Sequence, residues 1–286
     1  MNDALIDLRE AAHRLGVHYM TAYRYVRIGR LPATQDGGRW LVDPRDLDLL
    51  RPGRAATEAR RGHAQPEHYR DQLRTPLLAG DEAAAWRLIE TFLVSGGDPE
   101  SALLDVLAPA MRGVGDDWQR GELSVGDEHR ATAVATRLVS RLGPMFVRRG
   151  RPRGKVVVAC APGDTHALPA AMVASVLRGR GYAVVELGGD TPEGSVVAEV
   201  EAAGARLRGV VISVSSQGRL DAAGSVAAAV RSIAPESPVL VGGPAVTSEA
   251  EAARLGSDGW AVDAADVAAM LAAPRGTTSA ATAADD

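Results

Sequence analysis

The chain has a single cysteine, Cys160, which excludes an internal disulfide framework and a cysteine-based zinc site. Cys160 falls in the apolar run 156–161, where a small buried strand residue is expected rather than a reactive thiol. No apolar run approaches the roughly 18 residues that a membrane span needs. Met1–Leu8 lacks the basic start and long apolar stretch of a secretory signal, so a cytoplasmic chain without a membrane partner is expected. A Walker-type phosphate loop, a nucleophile and base at a recognisable spacing, and a zinc-like cluster are all missing, and the expectation is a protein that is not an enzyme. Lysine is confined to Lys155, while Ala, Arg, Gly and Val abound, a bias we read as genomic base composition.

What is present divides the 286 residues into segments of different character, with 46% apolar content, ample for two or three cores. The net charge is -4, yet residues 1–65 carry 11 Arg against 8 acidic residues. A basic segment on an acidic body suits a nucleic-acid-binding unit attached to something else. Within residues 1–50, Leu8, Ala11, Ala12 and Leu15 recur at helical spacing, and Gly16-Val17 makes a tight turn. A second helix is expected over 18–28, stopping at Gly29. Then come the turn Gly37-Gly38, the strand-like Trp40-Leu41-Val42 and a last helix from Pro44. That order describes a winged helix-turn-helix domain. Residues 51–65 lack apolar period and read as a basic linker.

Over 66–150 the pattern is helical, with breaks near Gly80, Gly96-Gly97 and Gly121. Asp98-Pro99-Glu100 starts a helix well, and Ser124 to Asp127 forms a capping box with Asp in the usual Glu position. Four helices with short connections predict an antiparallel four-helix bundle. From 151 to 274, strand-like runs at 156–161, 183–187, 210–214, 239–241 and 260–262 alternate with helix-length stretches. Their near-continuous Val/Ile character predicts a parallel sheet covered on both faces, the flavodoxin-like doubly wound α/β class. Residues 275–286 are small and polar and are expected to be disordered.

The most informative residues are Gly163-Asp164-Thr165-His166, directly after the first strand of that α/β domain, where ligands of such sheets bind. A histidine there can offer one ring nitrogen to a metal while an Asp two residues earlier fixes the other. On these four residues alone, an ordinary surface-loop histidine beside a capping Asp is an equally good reading. Ser213-Val214-Ser215 and Gly242-Gly243 close two later strands at the same edge, where glycine allows close approach and serine offers a donor or acceptor. Together these residues resemble the pattern of cobalamin-binding domains, Asp-x-His-x-x-Gly, Ser-x-Leu and Gly-Gly, over Arg153 to about Met270. The resemblance implies His166 as the lower cobalt ligand in place of the cofactor's own dimethylbenzimidazole, with Asp164 orienting it. It also implies a slot for the displaced nucleotide tail lined by Ser213, Gly242 and Gly243, with Gly163, Thr165 and Ser215 also in the binding set. Two positions depart from the pattern: Pro169 replaces its final Gly, and Ser215 its Leu.

In the helical segment Trp118 is followed, after nine residues, by Glu128-His129. Taken alone, these are a core aromatic and an exposed first helical turn. With the flanking domains they resemble the CarH-type light-sensing regulators of the MerR-like group, over nearly the whole chain except the tail. That resemblance implies 5'-deoxyadenosylcobalamin, a helical bundle capping it, and Trp118, Glu128 and His129 around the adenosyl group. It further implies a dark tetramer on operator DNA that falls apart when light breaks the Co–C bond. Gln119 departs from the group, whose members often place a cobalt-capturing His there. The segment from Leu8 to Trp40 resembles excisionase-like and MerR-like helix-turn-helix domains, which implies that Thr21, Tyr23, Arg24 and Arg27 face the major groove and Arg39 sits on the wing. One such motif reads too few base pairs alone, so a homo-oligomer, dimer or tetramer, is expected. The expected function is a cobalamin-binding transcriptional repressor controlled by adenosylcobalamin and its photolysis. The competing readings are a corrinoid methyl-carrier protein and a light-independent cobalamin or redox sensor.

Overall fold

The computed structural model describes residues 5–14, 26, 31–36, 39–49 and 65–272. The chain divides into two compact units, one built mainly from residues 1–65 and the other from residue 66 onward.

In the first unit, β1 (Ile6–Asp7) and β2 (Thr34–Asp36) both pair antiparallel with β3 (Arg39–Val42), giving the order β1-β3-β2. Helix α1 (Leu8–Arg14) starts where the Asp7 carboxylate accepts the Glu10 amide at 2.9 Å, a side-chain cap for an orphan helix donor. A small core forms from Leu8, Ala11, Ala12, Leu31, Val42 and Leu47. The last helix expected from Pro44 is a 3-10 helix, Pro44–Leu49. Its winding is tightened by the Asp46 amide donating to the Asp43 carbonyl, three residues back, at 2.9 Å. The expected second helix with Thr21, Tyr23, Arg24 and Arg27, apart from Val26, lies outside the described residues. So do the turn Gly37-Gly38, the linker before Gln65, and the tail over 275–286. Arg39 opens β3.

The second unit begins with α2 (Pro66–Ala79) and α3 (Glu82–Val94). A third helical run spans 99–119. Asp98 caps it, its carboxylate accepting the Glu100 and Ser101 amides at 3.0 Å each. After one turn (Pro99–Ser101) the run becomes π-helical over Ala102–Leu107 and then α-helical as α4 (Ala108–Gln119). Pro109 accounts for the change of winding. It has no N–H to give to the Asp105 carbonyl, and the Ala108 amide reaches back five residues to Leu103. Helix α5 (Val125–Leu142) opens with the capping box read from the sequence: the Asp127 amide donates to Ser124 Oγ and the Ser124 amide to the Asp127 carboxylate. Its buried face is Ala131, Val134, Ala135, Leu138, Val139 and Leu142.

Five parallel strands follow: β4 (Lys155–Cys160), β5 (Ala183–Gly188), β6 (Leu207–Ser213), β7 (Val239–Gly242) and β8 (Gly259–Ala261), in the order β5-β4-β6-β7-β8. Period-two alternation assigns Val157, Ala159, Val210, Ile212 and Val241 to one face. There they meet α7 (Glu193–Ala203), α8 (Leu220–Ile233) and α9 (Glu249–Arg254). Val156, Val158, Cys160, Val211 and Leu240 face the other side, against α6 (Ala167–Gly179) and α10 (Ala264–Ala272). This is the expected flavodoxin-like sheet, and its order reverses between β4 and β6. Such a switch point, at the carboxyl edge, is where sheets of this class bind ligands. The helical part joins the sheet part through α5 against α6, the Phe146 ring beneath Gly179, and an Arg180–Glu100 ion pair. Among the described residues no helix is long and apolar enough to cross a membrane.

Ile212 is fully buried in the central strand β6. Ile212→Ala should cost about 2–5 kcal/mol, seen as a lower urea midpoint at unchanged slope. A midpoint equal to that of the parent would contradict this packing.

Candidate functional site

The site grows from the end of β4. The Ala161 amide carries the ladder one step further by donating to the Ser213 carbonyl at 3.0 Å, and the Asp164 amide then turns back onto the Ala161 carbonyl at 2.9 Å. That turn tucks the Asp164 side chain inward, where it is 1% exposed. Its Oδ1 accepts from His166 Nδ1 at 2.7 Å and from the His166 amide at 3.1 Å, while Oδ2 accepts the Ser215 amide at 2.5 Å. Burial pushes the Asp164 carboxyl up. The Ser215 amide, the His166 ring and the His166 amide outweigh that and hold it below the ordinary carboxylate range.

An ionised carboxylate can only accept, so in the neutral imidazole Nδ1 carries the proton and Nε2 is the nitrogen with the lone pair. The His166 side chain is 57% exposed and stands at the N-terminal boundary of α6, so that lone pair is available at the carboxyl edge. Cys160 lies beneath, its thiol directed at the His166 carbonyl at 3.6 Å and pushed by burial up to about 12, so it stays protonated. Pro169 sits in the first turn of α6, where a missing N–H costs little, and replaces Gly without disturbing the helix.

Ser213 is buried at the end of β6, and Ser215 Oγ is buried without a hydrogen-bond partner. Gly242 and Gly243 end β7 and the turn after it. A Cβ on Gly243 would lie 2.5 Å from the Val214 carbonyl oxygen, and one on Gly242 2.5 Å from that of Ala261. Close backbone packing therefore demands both glycines before any ligand is considered. The structure thus gathers Gly163, Asp164, Thr165, His166, Ser213, Ser215, Gly242 and Gly243 at one edge of one sheet.

Trp118, Glu128 and His129 flank a different feature, the turn between α4 and α5. Trp118 is 42% exposed, Glu128 accepts from Thr132 Oγ1 at 2.6 Å, and His129 lies 3.8 Å from the Glu128 carboxylate. Among the described residues no hydrogen bond or ion pair joins them to the His166 loop. A groove of about 450 Å³ lined by Val200, Leu207, Ile233 and Pro235 lies at the opposite, amino edge of the sheet, away from this chemistry.

Sequence reasoning passed over the loop after β5, Gly188-Gly189-Asp190-Thr191. Gly163 donates its amide to Asp190 Oδ1 at 2.6 Å, and the Asp190 amide donates to the Asp164 carbonyl at 2.6 Å. The Gly-Gly-Asp string after a strand was a visible signal of unusual backbone, but its partner loop lies 27 residues upstream.

A half-exposed imidazole with a free Nε2, oriented by a buried carboxylate, suits an axial metal ligand. The orphaned Ser215 Oγ offers a partner to a polar ligand group entering beside the sheet. Among known families, residues 69–142 and residues 154–269 each match a B12 binding domain, and residues 5–50 match a helix-turn-helix domain. The chain carries corrinoid-binding domains together with a helix-turn-helix domain.

Among individual proteins, it is 25% identical over 206 residues to a corrinoid protein of Desulfitobacterium hafniense (strain Y51), covering 71% of this chain and 94% of that one. It is 33% identical over 141 residues to the HTH-type transcriptional repressor CarH of Myxococcus xanthus. That match covers 49% of this chain and 45% of the repressor, so less than half of the relative's length is spanned. The monomethylamine corrinoid protein of Methanosarcina barkeri shares the fold, with a TM-score of 0.65 at 20% identity over 72% of this chain and 98% of that one.

The depressed Asp164 pKa has a signed consequence. Its contribution to stability is fully present above about pH 4, the unfolded value, and is lost as pH falls through the lower folded value. Asp164→Asn should therefore lower stability at neutral pH and flatten its decline on acidification, measured by urea unfolding across the acid range. Parallel stability curves for parent and variant would contradict this assignment.

Proposed function

We propose that this chain is a cobalamin-responsive transcription regulator, a repressor whose assembly and DNA binding depend on bound 5'-deoxyadenosylcobalamin and on light. The observation that carries the proposal is the Asp164–His166 pair, with Nε2 free at the carboxyl edge, in a chain that also holds a helix-turn-helix domain. His166 Nε2 would hold the cobalt from below, with Asp164 fixing its tautomer and direction and Gly163 and Thr165 presenting both. Ser213, Ser215, Gly242 and Gly243 take the displaced nucleotide tail, with Ser215 Oγ as its polar contact. Trp118, Glu128 and His129 enclose the upper face from the helical part, read as a four-helix bundle. When bound, the cofactor supplies a photolabile cobalt–carbon bond, and the protein's residues supply ligation and position rather than catalysis.

The regulatory logic is mass action. A ligand favours only the assembly whose contacts depend on it, so a cofactor that no longer met Trp118, Glu128 and His129 would cease to hold the oligomer, dimer or tetramer, on operator DNA. Thr21, Tyr23, Arg24 and Arg27 read the major groove of a winged helix-turn-helix, with Arg39 on the wing. Gln119 has no imidazole, so that position would offer the cofactor no second histidine. The alternative, a corrinoid methyl carrier, is favoured by the two corrinoid proteins that align over nearly their whole lengths. A carrier has no use for the helix-turn-helix at residues 5–50, and that favours the regulator.

Size-exclusion chromatography with absorbance detection tests the proposal on protein loaded with adenosylcobalamin in the dark and then under green light. The expected result is a dark oligomer carrying corrinoid absorbance that dissociates on illumination. His166→Ala should weaken corrinoid retention at least about tenfold. Retained corrinoid with no change in size would replace the light switch by a light-independent sensor. Wild-type protein that retains none would overturn the proposal.

A further inference from the structure

Asp190 stands apart in the backbone. Among the described residues it is the one non-glycine residue with positive φ, at 48°. Left-handed backbone is disfavoured for a side chain, although Asp tolerates it better than most, and such outliers persist where surroundings over-determine them. Here the surroundings are not apolar packing, since Asp190 is exposed. They are the two short hydrogen bonds to Gly163 and Asp164, each 2.6 Å. The carboxylate takes the Gly163 amide and the Asp190 amide gives to the Asp164 carbonyl, so one residue holds two consecutive residues of the His166 loop. Gly189, next door, lies so close that a Cβ would come within 2.9 Å of the Thr165 carbonyl oxygen. The loop after β5 thus contacts residues 163, 164 and 165 in turn and stops short of the imidazole.

We propose that Asp190 is a positioning residue for the lower axial ligand. It fixes the backbone from which the Asp164 carboxylate projects, and through that carboxylate it sets the direction of His166 Nε2 and the strength of its bond to a corrinoid cobalt. The inference rests on His166 being that ligand. Asp164 holds the ring itself, whereas Asp190 holds the frame that presents Asp164. Two variants separate this role from that of an ordinary turn residue. Asp190→Gly keeps the positive φ without strain and keeps the amide donor, but removes the acceptor for Gly163. Asp190→Asn keeps both the tolerance for left-handed backbone and a carbonyl acceptor.

The test uses the full chain, with isotope-labelled histidine, loaded with cob(II)alamin and examined by electron paramagnetic resonance. There the nitrogen splitting of the cobalt lines reports a bound imidazole. Thermal unfolding of the unloaded protein is followed in parallel. The expected result is a histidine-split spectrum for wild type and for Asp190→Asn. Asp190→Gly should melt within about 4 °C of wild type yet lose at least half of the histidine-split signal. More than half of the splitting kept in Asp190→Gly, or a melting temperature lowered by more than about 4 °C, would make Asp190 a structural turn residue and overturn the inference. Wild-type protein without histidine splitting would overturn the His166 assignment itself, a result distinguishable from failure of the Asp190 role alone.

Discussion

A single buried carboxylate organises the carboxyl edge of this sheet. Asp164 is buried in the loop after β4, where an unpaired charge is costly, and three donors satisfy it: the His166 ring, the His166 amide and the Ser215 amide. Each donor belongs to a segment that must be in place for the site to exist. The His166 donors tie it to the start of α6, and the Ser215 amide ties it to the end of β6 across the switch point. Charge-assisted bonds of this kind are shorter and about twice as strong as neutral ones. The outcome is an imidazole held in one tautomer with its free nitrogen directed outward, which is what an axial ligand requires.

How much of this could be read beforehand depended on the range of the interactions. The five strands and the doubly wound order follow from runs of β-branched residues and their spacing, and the caps at Asp98 and Ser124 from residues within three positions of each other. The Asp164–His166 pairing is also local, two residues apart. What escaped was set by contacts distant in the chain or by backbone detail. The π-helical turn before Pro109 depends on one missing donor inside an otherwise regular helical pattern. The Ser215 amide reaches the carboxylate from 51 residues away. The glycines at 242 and 243 look like slot-lining residues in the sequence, yet neighbouring carbonyls already require them. The Gly-Gly-Asp string around Asp190 signals unusual backbone in the sequence, but only its positive φ and its partners, with Gly163 27 residues upstream, identify what it holds.

The two ends of the chain give the account its biological content. A corrinoid site alone describes a carrier as well as a sensor, and a helix-turn-helix alone says nothing of its signal. Joined in one chain, they make DNA occupancy a possible output of corrinoid occupancy, provided the ligand binds one assembly state more tightly than another. A ligand without such differential affinity shifts nothing, however tightly it binds.

Coupling is therefore the quantity to measure. A duplex selected from a randomised library on the adenosylcobalamin-loaded protein in the dark would be titrated, in fluorescence anisotropy, with loaded and with corrinoid-free protein at one salt concentration. The loaded protein should bind at least about tenfold more tightly, equivalent to about 1.4 kcal/mol of coupling, and His166→Ala should abolish that difference. Equal affinities for loaded and corrinoid-free protein would contradict it.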